Sequence, residues 1–416
     1  MSKASNPGGV SRQIPVVVLA GFLGSGKTTL LNHLLHHSAG SRIGAIVNDF
    51  GAIEIDAMAV AGQLGDSTVS LGNGCLCCAV DASELDVYLD KLTRPVNTDH
   101  EMDVIVIEAS GIAEPQELVR MVLASENPRI VYGGLIEVVD AAEFDATREK
   151  HPEVERHLGI ADLVVVNKAD RVADAERERV LTAVRGAAGP AAVVRASYGR
   201  IDPELLFDCR PATERIGQLS FDDLHRHDES HHDESHDESH SESHTEAHDE
   251  RHDGSHDDSH NEIRSGGEPH AAHLHSAYDS LAFTSDVPMD PRRLMDFLDG
   301  RPEGLYRIKG YVDFGAADPA NRYAVHAVGR FLRFYPEPWP VGDELDAEPH
   351  LTQLVLIGAG IDTVTLRKQL DTAKDTDNAP HTIDEHGMWG VLRYVQDKGE
   401  DPGDGPREAD AVEPEM

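Results

Sequence analysis

Short runs of consecutive apolar residues recur along the first half of the chain, separated by longer stretches with a helical pattern. The runs lie at 15–20, 42–48, 104–108, 135–140, 163–167 and 191–195. Strands of a parallel sheet are buried on both faces and have this near-continuous apolar character, with helices covering the two faces. The pattern predicts an α/β domain with a mostly parallel sheet, over residues 14–220.

The pattern stops abruptly near Phe221. From Phe221 to His260 the chain has 15 Asp or Glu, 11 His and 2 Arg, with almost no apolar residue after Leu224. Such a segment cannot bury enough surface to offset the entropy of its chain. Residues 221–277 are therefore predicted to be a disordered linker rich in His, Asp and Glu.

Alternating and helical patterns return at about Tyr278. Strand-like runs at 281–284, 304–313, 323–328 and 353–357 accompany helical runs at 291–298 and 363–370. This order predicts a smaller α+β domain over 278–371. Residues 1–13 and the acidic, Pro- and Gly-rich stretch 372–416 are expected to be mostly disordered.

Composition narrows the possible partners and the compartment. The chain of 416 residues has a net charge of −38, which would repel nucleic acid and anionic membranes. Three of its four cysteines are nearly contiguous, which suits thiolates in a reducing compartment better than disulfides. We identify neither a signal sequence nor an apolar stretch of about 20 residues, so a cytoplasmic location is expected.

A phosphate-binding loop follows the first apolar run. The segment Gly21 to Thr28 matches Gly-x-x-x-x-Gly-Lys-Thr and leads into a helical pattern, the context that this motif requires. Lys27 is expected to reach the β and γ phosphates as a catalytic group, and the Thr28 hydroxyl to bind magnesium. The predicted nucleotide-binding residues of this loop are Gly21, Gly24, Ser25, Gly26, Lys27, Thr28 and Thr29.

An acidic residue ends the third apolar run. Glu108 is followed by Ala109, Ser110 and Gly111, so it could hold magnesium and act in catalysis while Gly111 approaches the γ phosphate. Asp140 ends another run and is an alternative for the acidic role. The sequence does not choose between the two carboxylates.

The run at 163–167 leads into a candidate base-reading motif, Asn167, Lys168 and Asp170. A carboxylate can accept hydrogen bonds from N1–H and the 2-amino group of guanine, whereas adenine would leave that acceptor unpaired at a cost of about 1–3 kcal/mol. The motif therefore predicts GTP rather than ATP. Ser197, just after the next strand, is a weaker candidate for the same pocket.

Cys75, Cys77 and Cys78 form a compact set of soft ligands. Thiolates at this spacing can converge on one zinc or cobalt ion and leave the fourth position open, which suits transfer of the metal. The alternatives are small buried residues in a loop or a purely structural zinc site. Cys209 lies far away in the chain and is read as an ordinary thiol.

The linker repeats histidine at every fourth residue. Asp and Ser between the histidines are poor helix formers, so a helical stripe of ligands is not expected. Many imidazoles at high local density still bind divalent metals weakly, and the segment is read as a metal-collecting tether in preference to an inert linker. The predicted weak sites are His232, His236, His240, His244, His248, His252, His256 and His260.

The chain resembles the CobW-type metallochaperone GTPases in the order of its motifs. These are the P-loop, Cys-x-Cys-Cys, Glu-x-x-Gly and Asn-Lys-x-Asp, followed by a His-rich connector and a smaller domain. That resemblance implies a cytoplasmic protein that binds GTP, Mg²⁺ and a divalent metal, zinc before cobalt, and delivers the metal to a client protein. The segment 48–56 departs from the family's switch region, since Asp49 and Ala52 stand where the family commonly has glutamates.

The sequence therefore predicts a GTP-hydrolysing metallochaperone. Two alternatives stay open: a metal buffer whose nucleotide site is regulatory, and a nickel or cobalt insertion GTPase for enzyme or cobalamin maturation. Neither the client, the physiological metal nor the oligomeric state is specified by the chain.

Overall fold

The computed structural model describes residues 13–38, 41–47, 68–70, 82–93, 102–111, 113–208, 278–340, 350–375 and 387–395, with the backbone alone for 68–70 and 82–84. Within these residues, no helix combines the length and the apolar character needed to cross a membrane.

Seven parallel strands form the sheet of the first domain. They are β1 (Ile14–Ala20), β2 (Ile43–Val47), β3 (Thr68–Ser70), β4 (Val104–Glu108), β5 (Ile130–Asp140), β6 (Leu163–Asn167) and β7 (Ala192–Arg195). Their order across the sheet is β3-β2-β4-β1-β5-β6-β7, and all neighbouring pairs are parallel. The predicted parallel sheet is confirmed, and β1 and β5 lie together near its middle.

Helices connect these strands and cover the sheet with apolar clusters on both faces. They are α1 (Lys27–His36), α2 (Ala82–Thr93), α3 (Pro115–Ala124), α4 (Phe144–Lys150), α5 (Glu153–Ile160) and α6 (Asp174–Ala188). Because successive parallel strands need crossover helices, the carboxyl ends of all the strands meet at one edge of the sheet. The loops at that edge carry the P-loop and the base-reading motif.

The second domain is a five-stranded antiparallel sheet with helices. Its strands are β8 (Asp279–Ser285), β9 (Leu305–Val312), β10 (Asn321–Val328), β11 (Phe331–Pro338) and β12 (Thr352–Gly358), in the order β11-β10-β9-β12-β8. The helices are α7 (Pro291–Asp299), α8 (Thr363–Thr372) and α9 (Trp389–Leu392). The predicted α+β class is confirmed.

Three features differ from the sequence-based expectation. The apolar pattern predicted neither β3 nor β11, and β5 begins at Ile130 rather than at 135. Residues 387–395 lie in the stretch assigned to an acidic tail, yet Val391 of α9 is fully buried in the core of the second domain.

The two sheets share apolar packing. Tyr306, Val328 and Ile357 of the second domain belong to the same buried cluster as β1 and α1. Gly134 in β5 has φ +111°, and a Cβ there would lie 2.8 Å from Val328 and 3.0 Å from the Tyr306 hydroxyl. The first half of β5 is thus shaped for close contact with the second domain.

A half-buried, hydrogen-bonded carboxylate lies at this junction. Asp162 accepts hydrogen bonds from the Tyr132 hydroxyl (2.6 Å) and the Leu135 amide (2.9 Å), and burial raises its pKa. The turn between β10 and β11 comes so close that a Cβ on Gly329, which has φ +53°, would overlap with the Asp162 carboxylate. Nearby, Nε2 of the half-buried His326 lies 2.9 Å from the Tyr132 carbonyl.

Three polar contacts flank the His-rich segment. The Tyr278 hydroxyl donates to the Asp202 carboxylate at 3.0 Å, and Asp208 forms ion pairs with Lys309 and with Arg307 (3.3 Å). The residues on either side of 209–277 are therefore held by folded parts of the protein.

Candidate functional site

The P-loop has room for phosphate because three of its positions are glycines. Gly21, Gly24 and Gly26 have φ of +144°, +78° and +102°, a region that favours glycine. A Cβ on Gly21 would overlap with the Val138 carbonyl, and one on Gly26 with the Asn167 side chain. The loop then enters α1, whose amino-terminal N–H groups suit an anion. This cradle fits a nucleotide phosphate chain.

Lys27 folds back over the loop that precedes it. Its Nζ donates to the carbonyl oxygens of Gly21 (2.9 Å) and Phe22 (3.4 Å), and the side chain is largely buried. The ammonium is therefore already placed above the loop that would hold phosphate. Ser25 is also buried and its hydroxyl oxygen makes no hydrogen bond to the described residues, whereas Thr29 is exposed at the start of α1.

Thr28 and Glu108 meet between α1 and the end of β4. The Thr28 hydroxyl donates to Oε1 of Glu108 at 2.7 Å, and Glu108 lies opposite Leu19 in the register of β1 and β4. A hydroxyl and a carboxylate oxygen are the donor atoms that magnesium prefers. Gly111 then passes the tip of the P-loop, where a Cβ would lie 2.8 Å from the backbone of Leu23.

Asp140, the alternative acid, has a different partner. Its carboxylate pairs with the Lys168 ammonium at 2.6 Å and accepts from the Ala142 amide at 3.0 Å. Of the two acidic candidates, Glu108 contacts the P-loop threonine, whereas Asp140 holds Lys168 of the candidate base-reading motif.

Asn167 joins three loops at the edge of the sheet. Its Nδ2 donates to the Ser25 carbonyl (3.0 Å), and its Oδ1 accepts from the Gly199 amide (2.9 Å). The residue is almost fully buried, which makes it a brace between the P-loop and the loop after β7. Asp170 is exposed in the same loop, and Ser197 is half-buried in the next one.

Sequence reasoning missed Glu137, which is buried in β5 opposite Ala20, the last residue before the P-loop. Burial raises the pKa of this carboxyl to about 8, against the opposing effect of the Lys27 ammonium. The signal was present, because Glu137 is the single charged residue within the apolar run 135–139.

The predicted metal ligands lie outside the described residues. These are Cys75, Cys77 and Cys78, which fall between β3 and α2, and the eight histidines from His232 to His260. Cys209 and the segment 48–56, which were not predicted to bind metal, also lie outside the described residues. Among the residues that the structure describes, no three His, Cys, Asp or Glu side chains are grouped so as to hold a metal ion.

Comparison with known proteins identifies the family. Residues 15–195 match the CobW/HypB/UreG nucleotide-binding domain, and residues 278–374 match the C-terminal domain of the cobalamin synthesis protein CobW. The zinc chaperone CobW of Pseudomonas aeruginosa is 31% identical over 403 residues, which cover 87% of this chain and 92% of that protein. The chain belongs to the CobW family.

Two further relatives have related names. The zinc chaperone CobW of a Sinorhizobium species is 27% identical over 379 residues, covering 83% of this chain and 93% of that protein. The zinc chaperone YjiA of Escherichia coli is 33% identical over 197 residues, covering 47% of this chain and 61% of that protein. The region that matches the nucleotide-binding domain forms the parallel sheet, and the region that matches the C-terminal domain forms the antiparallel sheet. The His-rich segment lies between the two regions in the chain.

Proposed function

We propose that this CobW-family protein is a GTP-hydrolysing metallochaperone that carries zinc to a client metalloprotein in the cytoplasm. The proposal rests on the contact between Thr28 and Glu108 beside a glycine-lined P-loop. The three-cysteine motif lies between these two residues in the chain. The names of the relatives favour zinc over cobalt and nickel.

Each part of the nucleotide has a residue suited to it. Lys27 would bind the β and γ phosphates, and Thr28 with Glu108 would hold magnesium, which supplies charge neutralisation when bound. The exposed carboxylate of Asp170 would read guanine. Asn167 would act through the loops that it braces, since its amide already bonds to Ser25 and Gly199.

The metal would be the cargo. Cys75, Cys77 and Cys78 are the proposed thiolate ligands, with an open position for a client's ligand. The histidines from His232 to His260 would raise the local supply of metal through weak binding.

The position of the cysteines supports coupling between the two sites. They lie in the chain between β3 and α2, and the strand that follows α2 is β4, which ends at Glu108 beside Thr28. A change in the position of Glu108 between the GTP and GDP forms would therefore be passed to β4 and α2, the elements that follow the cysteines in the chain. By reciprocity, metal would change the affinity for GTP by the same factor.

A competition titration with a chromophoric chelator tests this proposal. We expect the tight zinc affinity to differ by about fivefold or more between the GDP form and a form with a non-hydrolysable GTP analogue, and tight binding to disappear when all three cysteines become serine. The Lys27→Ala variant is the matched control, since it should bind zinc equally with either nucleotide present.

The alternative, a metal buffer with a regulatory nucleotide site, predicts the opposite result. Equal zinc affinities in the two nucleotide states of the unmodified protein would contradict the chaperone cycle and favour the buffer.

A further inference from the structure

The loop after β7 contains an unusual turn. Tyr198 and Gly199 are consecutive residues with φ of +57° and +67°, and the Arg200 amide donates to the Ser197 carbonyl at 3.1 Å. Two central residues with positive φ and this hydrogen bond define a type I′ turn, in which Asn, Asp or Gly is usual at the first central position. Tyrosine there is strained.

The strain is not offset by core packing. Tyr198 is 66% exposed, and its ring lies 5.9 Å from the Arg200 guanidinium carbon, a weak surface contact. A left-handed backbone at a bulky residue is costly and persists mainly where the surroundings or the function require it. Among the described residues other than glycine, only Tyr198 and Lys168 have positive φ.

The surroundings hold this turn firmly in place. The Gly199 amide donates to Asn167, and a Cβ at Gly199 would lie 2.8 Å from the Leu30 amide of α1. The Ala169 amide also donates to the Ala196 carbonyl at 3.1 Å. The turn is thereby fixed to both the P-loop helix and the base-reading loop.

The two strained residues occupy equivalent places. Lys168 follows β6 and Tyr198 follows β7, and these strands are parallel neighbours paired at Val166 and Arg195. Both residues therefore lie at the edge of the sheet that carries the P-loop. The Lys168 ammonium is held by Asp140, so this side chain is also fixed.

We propose that Tyr198 is a base-stacking residue whose exposed ring packs against the face of the bound nucleotide's base. This proposal rests on the proposed function, because Asp170 would read the edge of the same base. An aromatic ring recognises the face of any base, and loss of such stacking to alanine costs about 1–3 kcal/mol, or roughly 5- to 150-fold in affinity.

The strain provides a test that separates binding from folding. In Tyr198→Gly the ring is lost but the turn is relieved, so we expect a melting temperature equal to or above that of the unmodified protein, with GDP affinity at least fivefold lower by calorimetry in the presence of Mg²⁺. Tyr198→Phe keeps the ring and should bind GDP within about twofold of the unmodified protein. Leu123→Ala, which truncates an exposed apolar residue on α3, is the control for general surface effects.

Two results would overturn the proposal: Tyr198→Gly binding GDP as tightly as the unmodified protein, or Tyr198→Phe losing as much affinity as Tyr198→Gly. ADP keeps this test separate from the assignment of Asp170. If the unmodified protein binds ADP as tightly as GDP, Asp170 does not read guanine. Removal of a stacking ring would still lower the affinity for both nucleotides, so the two assignments can fail separately.

Discussion

Replacing Gly329 by alanine should strongly destabilise the protein through the domain junction. The residue has φ +53°, where a side chain costs roughly 1 kcal/mol relative to glycine. Its Cβ would also overlap with the carboxylate of Asp162, which accepts from Tyr132 and Leu135. Displacing a half-buried, hydrogen-bonded carboxylate costs about 1.5–3 kcal/mol for each bond lost, so the total loss is about 3 kcal/mol or more.

Gly360 offers a matched control in the same domain. Its φ is +71°, but no atom lies within 4 Å of the Cβ that alanine would add. Gly360→Ala should therefore cost only the backbone component, about 1 kcal/mol.

Thermal denaturation followed by circular dichroism measures both variants. A loss of 1 kcal/mol lowers the melting temperature by about 2–4 °C in domains of 150–250 residues, so the expected decreases are roughly 6–12 °C for Gly329→Ala and 2–4 °C for Gly360→Ala. Equal losses in the two variants would show that the Asp162 contact does not contribute to the stability of the protein.

Five further outcomes are expected. Lys27→Ala should abolish GTP turnover in a phosphate-release assay, and Asp170→Asn should reduce the preference for GTP over ATP; equal rates with both nucleotides in the unmodified protein would contradict the base assignment. Asn167→Asp keeps the acceptor for Gly199 but loses the donor to Ser25, so its GDP affinity should fall by about tenfold, with Asn167→Ala weaker still. Burial lowers the pKa of His326 from 6.5 to about 4, so the unfolded chain binds a proton more readily than the folded protein does. The free energy of unfolding should therefore keep its full value above pH 6.5 and decrease by up to ~3 kcal/mol towards pH 4. His326→Gln should reduce this decrease in denaturation curves recorded across the same pH range. Deleting residues 226–260 should lower the number of weakly bound zinc ions measured by equilibrium dialysis without changing GTP turnover, and a large loss of stability of the metal-free protein would contradict this view of the segment.

The sheet and the P-loop were predictable because their signals are local. A buried parallel strand is a continuous apolar run, and the P-loop is a contiguous motif whose glycines have individual steric reasons, as Gly21 and Gly26 show. The missed strands lack such signals. β11 carries prolines at 336 and 338. β5 is interrupted by Gly133, which packs closely against β1, and by Gly134, which the contact with the second domain requires.

The roles of individual site residues were harder to predict because they depend on neighbours distant in sequence. Asn167 matched a base-reading motif, but its bonds to Ser25 and Gly199 span 142 and 32 residues of the chain. The choice between Glu108 and Asp140 likewise depends on which carboxylate lies beside Thr28. No sequence pattern distinguished Tyr198, because what sets it apart is its positive φ, which the sequence does not show.

The contacts that flank the His-rich segment have a consequence for how the two domains are joined. Tyr278 is tied to Asp202, and Asp208 to Lys309, so folded residues fix the places where 209–277 leaves and re-enters the body of the protein. Because the two domains already contact each other directly, the length of 209–277 does not determine the distance between the two sheets. A chain divided between 208 and 278 would yield two fragments that still carry complementary apolar surfaces and the partners of both the hydrogen bond and the ion pair.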